Sequence, residues 1–172
     1  MKSKKLIYCL LMFCVITLLS CDKEKTDYTG KVVGDYDVKI SPNLNVKYGG
    51  NFMSIPIESV DTKCVITEKD DEYVYVQMDG VNGLISEMFF EAYCDGLGMK
   101  LESSIYEGVL YSPEYGIIDC RLKLKNPTVS IYNSRNLSWE STVTGSCEIN
   151  ISGLDSVTVE VTGEIQFEAK GK

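Results

Sequence analysis

The sequence predicts an all-β protein: a single antiparallel meander β-barrel of eight to ten strands, preceded by a signal peptide and a short tether. Three observations carry that expectation. Apolar and polar residues alternate with period two along most of the chain beyond residue 31, as half-buried strands require. No comparably long stretch repeats with helical period. The strand candidates also follow one another through short turns, with no segment long enough to carry a parallel crossover.

Taken in order, the chain opens with "KSKK" at residues 2–5, followed by the uncharged and mostly apolar run "LIYCLLMFCVITLLS" at residues 6–20. A basic start, an apolar stretch and small residues at its end form the pattern of a secretory signal peptide. The run is too short for a spanning helix, which needs about 20 apolar residues to cross a ~30 Å hydrocarbon core. Residues 1–20 are therefore read as a leader. Residues 21–31, "CDKEKTDYTGK", are polar and form a tether, and residues 32–172 form the barrel domain.

Within the barrel domain, "DYDVKI" sets Tyr36, Val38 and Ile40 on one strand face. "CVITEKDDEYVYVQMDG" reads as a hairpin that turns at "EKDD", with Val74, Val76 and Met78 on the face opposite Tyr73 and Tyr75. Pro56 would break a helix and suits an edge or a bend. "GLISEMFFEAYC", "GMKLESSIY", "YGIIDCRLKL" and "TVSIYN" supply four further strands. The clearest pattern closes the chain. Leu137, Trp139, Ser141, Val143, Gly145, Cys147, Ile149 and Ile151 alternate with polar residues. After "SGLD", so do Val157, Val159, Val161, Gly163, Ile165, Phe167 and Ala169. Two long strands with one dry and one wet face make an antiparallel hairpin. A two-layer sandwich is the competing architecture. An immunoglobulin-like one would place its tryptophan between widely separated cysteines, whereas Cys120, Trp139 and Cys147 lie close together.

Composition narrows the function. Without the leader the chain holds 14 basic against 25 acidic residues, a balance of −11. That charge disfavours nucleic acid as a partner. There is no histidine, which removes the commonest general base and metal ligand. Neither an enzyme nor a cofactor is expected. "EKDDE" at residues 68–72 lacks the spaced ligands of a calcium loop and reads as a charged turn, so no metal is assigned.

Besides Cys21, the exported chain carries Cys64, Cys94, Cys120 and Cys147, with no Cys-x-x-Cys pair. An oxidising compartment allows disulfides, and four cysteines allow three pairings. Cys94 shares a face with Phe90 and Ala92, and Cys120 with Ile118 and Leu122. The expected pairs are therefore Cys94 with Cys120 and Cys64 with Cys147; free buried thiols are the alternative. Among the aromatics, Tyr36, Trp139 and Phe167 are candidates to line an interior pocket. Ser141, Gly145 and Gly163 are small positions that would leave room beside them.

Leu18-Leu19-Ser20-Cys21 resembles the lipobox of bacterial lipoproteins. The resemblance implies cleavage before Cys21, acylation of Cys21, and residence in the cell envelope, anchored to the outer membrane. Several acyl chains anchor firmly where a single one is marginal. Together with "VGDYDVKI", the alternating hairpins and the final "VTVEVTGEIQFEAKGK", it makes the chain similar to the small calycin-like (lipocalin-like) β-barrel lipoproteins of Gram-negative gut bacteria. Gly34-Asp35-Tyr36 stands where many calycins carry Gly-x-Trp. That resemblance implies a membrane-anchored barrel holding a small apolar or amphipathic ligand. The second reading is an accessory lipoprotein with a packed barrel, meeting a protein or glycan through its outer face or loops.

Overall fold

A computed structural model describes residues 27–95, 98–125, 128–130, 135–150 and 156–172. The leader and Cys21 lie outside the described residues. The described end of the tether is folded rather than free. Asp27 Oδ1 accepts hydrogen bonds from the Thr29 and Gly30 backbone and from the Thr29 hydroxyl, which hold the Asp27 carboxyl below its usual range. These bonds lead into a 3-10 turn, Thr29–Lys31. Thr29 and Val32 are fully buried behind it.

Among the described residues eleven strands follow, all joined antiparallel in one sheet. They are β1 (Gly34–Tyr48), β2 (Asn51–Ile55), β3 (Val60–Glu68), β4 (Tyr73–Met78), β5 (Met88–Cys94), β6 (Gly98–Leu101), β7 (Ser104–Ser112), β8 (Gly116–Lys125), β9 (Thr128–Ser130), β10 (Asn136–Ile149) and β11 (Val157–Gly171). The hydrogen-bonded order is β7-β8-β10-β11-β1-β3-β4-β5-β6-β9, with β2 folded back onto β1.

That order is a meander once two broken staves are recognised. β6 and β7 are one line of chain interrupted at Glu102 and Ser103; β6 pairs with β5 and β9, and β7 with β8. β8 and β9 likewise count as one stave, with β8 against β10 and β9 against β6. Counting each broken pair once, and β2 as a flap on β1, eight staves curl round until β11 returns to β1. The barrel is incompletely closed, because the ladder ends at β7 on one side and β9 on the other. "GMKLESSIY" is thus two short strands rather than one. Only Thr128–Ser130 of "TVSIYN" is described as strand.

β1 is held on one edge by β11 from Tyr36 to Lys47. Its other edge is shared: β3 covers Gly34 to Ile40, and β2 covers Leu44 to Tyr48. Pro42, with no N–H to offer, sits where one partner gives way to the next. The "EKDD" segment is the turn between β3 and β4, in which Asp70 Oδ1 accepts from the Glu72 and Tyr73 amides, both at 2.9 Å.

The inward face is apolar apart from the buried serines Ser112 and Ser141. Phe167 is its centre: it stacks on Trp139 with ring centroids 4.8 Å apart and meets the edge of Phe90 at 6.1 Å. Because Phe90 belongs to β5 and the other two to β10 and β11, this cluster spans the barrel. Gly145 and Gly163 do not make room inside. A Cβ at Gly145 would lie 2.9 Å from Leu122 Cα, and one at Gly163 would lie 2.9 Å from Leu44 Cα. Each glycine faces that leucine across a strand pair. Their missing side chains let neighbouring strands bend together, as curvature of a sheet demands.

The cysteine pairing differs from the sequence expectation. Cys120 is bonded to Cys147, not to Cys94, and Cys64 and Cys94 are free and buried. The reason is register. β8 and β10 are neighbours that set Cys120 directly opposite Cys147, with Cα atoms 4.2 Å apart. Cys94 and Cys64 lie on other staves, β5 and β3.

Burial, reinforced by the Asp79 carboxylate, pushes the Cys64 thiol up to about 12; burial with Asp95 and Asp27 pushes Cys94 to about 11. An unfolded thiol ionises near its ordinary value of 9.0. The folded values are raised, so this contribution to stability is fully present below about pH 9. It is lost as pH rises towards 11 and 12. At pH 8, alkylation of the native protein should leave Cys64 and Cys94 unlabelled, and unfolding should expose both. Peptide mapping should return the Cys120–Cys147 bridge; a Cys94–Cys120 peptide would contradict the register.

Candidate functional site

The broken stave opens the side of the barrel. β5 and β7 run beside each other without pairing, yet they are tied at both ends. At one end the Glu102 amide donates to the Glu91 carbonyl at 2.8 Å. At the other, the Val109 amide donates to Ser86 Oγ at 3.0 Å and the Ser86 amide donates to the Val109 carbonyl at 3.3 Å. The Tyr106 hydroxyl locks this second tie, accepting from the Ser86 amide at 3.0 Å and donating to the Val109 carbonyl. Burial raises the Tyr106 pKa, so it remains a donor at neutral pH.

Five residue steps separate Ser86 from Glu91, whereas seven separate Glu102 from Val109. Chains of unequal length tied at both ends must bow apart between the ties. The result is a groove of about 690 Å³, lined by Gln77, Glu87, Met88, Phe89, Ser104, Ile105, Tyr106, Glu107 and Leu124. Its size lies within the ~300–1,000 Å³ typical of small-molecule sites. Buried Met88, Tyr106 and Leu124 belong to the core face and make its floor. Its rim holds two large apolar side chains in water, Phe89 at 55% and Ile105 at 61% exposure. Glu107 is engaged with Arg121 at 2.9 Å, while Glu87 is exposed.

A strand peptide cannot thread this opening, since both ends are closed by hydrogen bonds. Two other grooves, of about 450 and 420 Å³, lie over the charged outer face of the sheet. They are lined largely by residues such as Asp37, Lys39, Asp61 and Lys63, or Asp119, Arg121 and Glu148, and read as solvated surface.

The sequence-derived pocket residues lie elsewhere. Tyr36, Trp139 and Phe167 are all buried in the core. Tyr36 donates its hydroxyl to the Val32 carbonyl at 2.6 Å, near the tether end of the barrel. Trp139 and Phe167 are brought together by the β10–β11 register; among the described residues the Trp139 Nε1–H has no hydrogen-bond partner. The groove residues escaped the sequence reading because nothing marks Glu102 and Ser103 as a break. The available signal was Phe89 and Ile105, apolar residues on faces where alternation calls for polar ones.

No family model matches the chain, and no curated protein matches it in sequence. Among solved structures it is similar to a redesigned β-barrel, b11L5F_LGL, at 10% identity and a TM-score of 0.35, over 81% of this chain and 94% of that one. It is also similar to EF1p2_mFAP2b bound to DFHBI, at 9% identity and a TM-score of 0.36, over 83% and 98%.

Proposed function

We propose that this chain is a lipoprotein of the cell envelope, acylated on Cys21 and held on the outer membrane. Its calycin-like barrel binds a small apolar or amphipathic ligand without chemical conversion. The observation that supports the binding reading is the groove between β5 and β7, floored by apolar core residues and rimmed by the exposed side chains of Phe89 and Ile105. The lipobox pattern at residues 18–21 supports the anchor.

Each half has its own test. Cys21→Ser should block cleavage by the lipoprotein route and abolish incorporation of labelled acyl chains; persistent acyl labelling would contradict the anchor. For the ligand, octyl glucoside below its micelle concentration serves as a neutral amphiphilic probe. Phe89→Ser and Ile105→Ser remove only exposed side chains, so the melting temperature should move little. Each should weaken binding of the probe several-fold, because each removes apolar rim area worth about 1 kcal/mol or more. Unchanged affinity in both variants would place binding elsewhere.

A further inference from the structure

We infer that the ligand of the β5–β7 opening is an amphipathic cation, its positive group held by Glu87 and Phe89; this rests on the binding reading above. Glu87 and Phe89 are two residues apart around the start of β5, and both are exposed while Met88 between them is buried. Carboxylate and ring therefore stand side by side on the outer rim. No ion pair or hydrogen bond engages the Glu87 carboxylate among the described residues. The groove lining contains two carboxylates and no cationic side chain, and Arg121 already engages the second, Glu107.

The protein already shows how this face holds an ammonium group. Two residues beyond Phe89, Glu91 pairs with Lys69 Nζ. That same Nζ lies 5.4 Å from the Tyr73 ring centroid and 5.5 Å from that of Tyr75. Tyr75 in turn packs on Phe89, with centroids 5.3 Å apart. Carboxylate and aromatic faces thus cooperate on one ammonium at Glu91. Glu87 and Phe89 bring the same two kinds of group together within one strand, two residues apart rather than across the β4–β5 pair, and no lysine of the described residues pairs with Glu87. An ammonium placed there is attracted by the carboxylate and by the negative face of the ring. Its apolar body then lies towards Met88, Ile105 and Leu124, across the floor of the groove.

Three eight-carbon probes separate charge preference from simple binding: octyltrimethylammonium, octyl glucoside and octyl sulfate, each titrated calorimetrically below its micelle concentration into the full chain. The cation should bind about ten-fold tighter than the sulfate. Glu87→Gln should remove most of that preference while leaving octyl glucoside unaffected. Glu168→Gln, an exposed carboxylate on β11 away from the groove, should leave the preference intact, which distinguishes local recognition from the overall charge of −8. Octyl glucoside binding with no preference for the cation, or a preference that Glu87→Gln leaves intact, overturns the inference alone. Binding of none of the three overturns both the inference and the reading it rests on.

Discussion

A chain ending at Ser156 should not fold. The deletion removes β11, which is paired on both edges, to β1 over residues 36–47 and to β10 over residues 136–149. It therefore leaves two long strand edges bare in the middle of the sheet. It also removes Val159, Val161, Ile165, Phe167 and Ala169 from the core, all at 5% exposure or less. Burial of each larger member of that set contributes about 1.5–3 kcal/mol. Four of them together compare with a whole-domain stability of ~5–15 kcal/mol. Circular dichroism should show no cooperative thermal transition in the truncated chain. A melting temperature like that of the full chain would mean that β11 is dispensable.

Within the intact chain, Phe167→Ala is expected to be among the most damaging single substitutions. Phe167 is fully buried, stacked on Trp139 and edge-on to Phe90 from the far side of the barrel. Truncation leaves a cavity that rigid neighbouring staves cannot close, and a Phe→Ala change of this kind costs about 3–5 kcal/mol. The chain has one tryptophan, so its fluorescence reports directly on the stack. The urea midpoint should fall with little change in slope, and native emission should shift to the red. A loss below about 1 kcal/mol would mean that the aromatic cluster is not the centre of the core.

How far the sequence revealed this structure differs from element to element. The two strands of the final hairpin were legible over the described residues, because a one-residue slip in period-two alternation would turn every valine to water; Ile151 and the link after it lie outside the described residues. The order of alternation therefore fixes the face, and nearly fixes the register. The "EKDD" turn was legible from local chemistry, through Asp70 accepting from nearby amides. Long-range facts were not. The Cys120–Cys147 bridge depends on β10 pairing with β8 while β9 leaves to join β6, and alternation says nothing about which strands become neighbours. Gly145 and Gly163 read as space in sequence, yet in the fold they are sites of close strand approach. The opening between β5 and β7 lies between two hydrogen-bonded ties joined by unequal lengths of chain, a property of the curled sheet and not of any one segment.

The most direct test of the binding account is a map of amide and methyl shifts in the isotope-labelled protein as octyl glucoside is added below its micelle concentration. Saturable shifts should concentrate at Met88, Phe89, Ile105, Tyr106 and Leu124, the floor and rim of the opening. Tyr48, Phe52 and Met53 are also exposed, on the β1–β2 hairpin, and should stay in place. Saturable shifts confined to that hairpin, or none anywhere, would contradict a ligand site between β5 and β7.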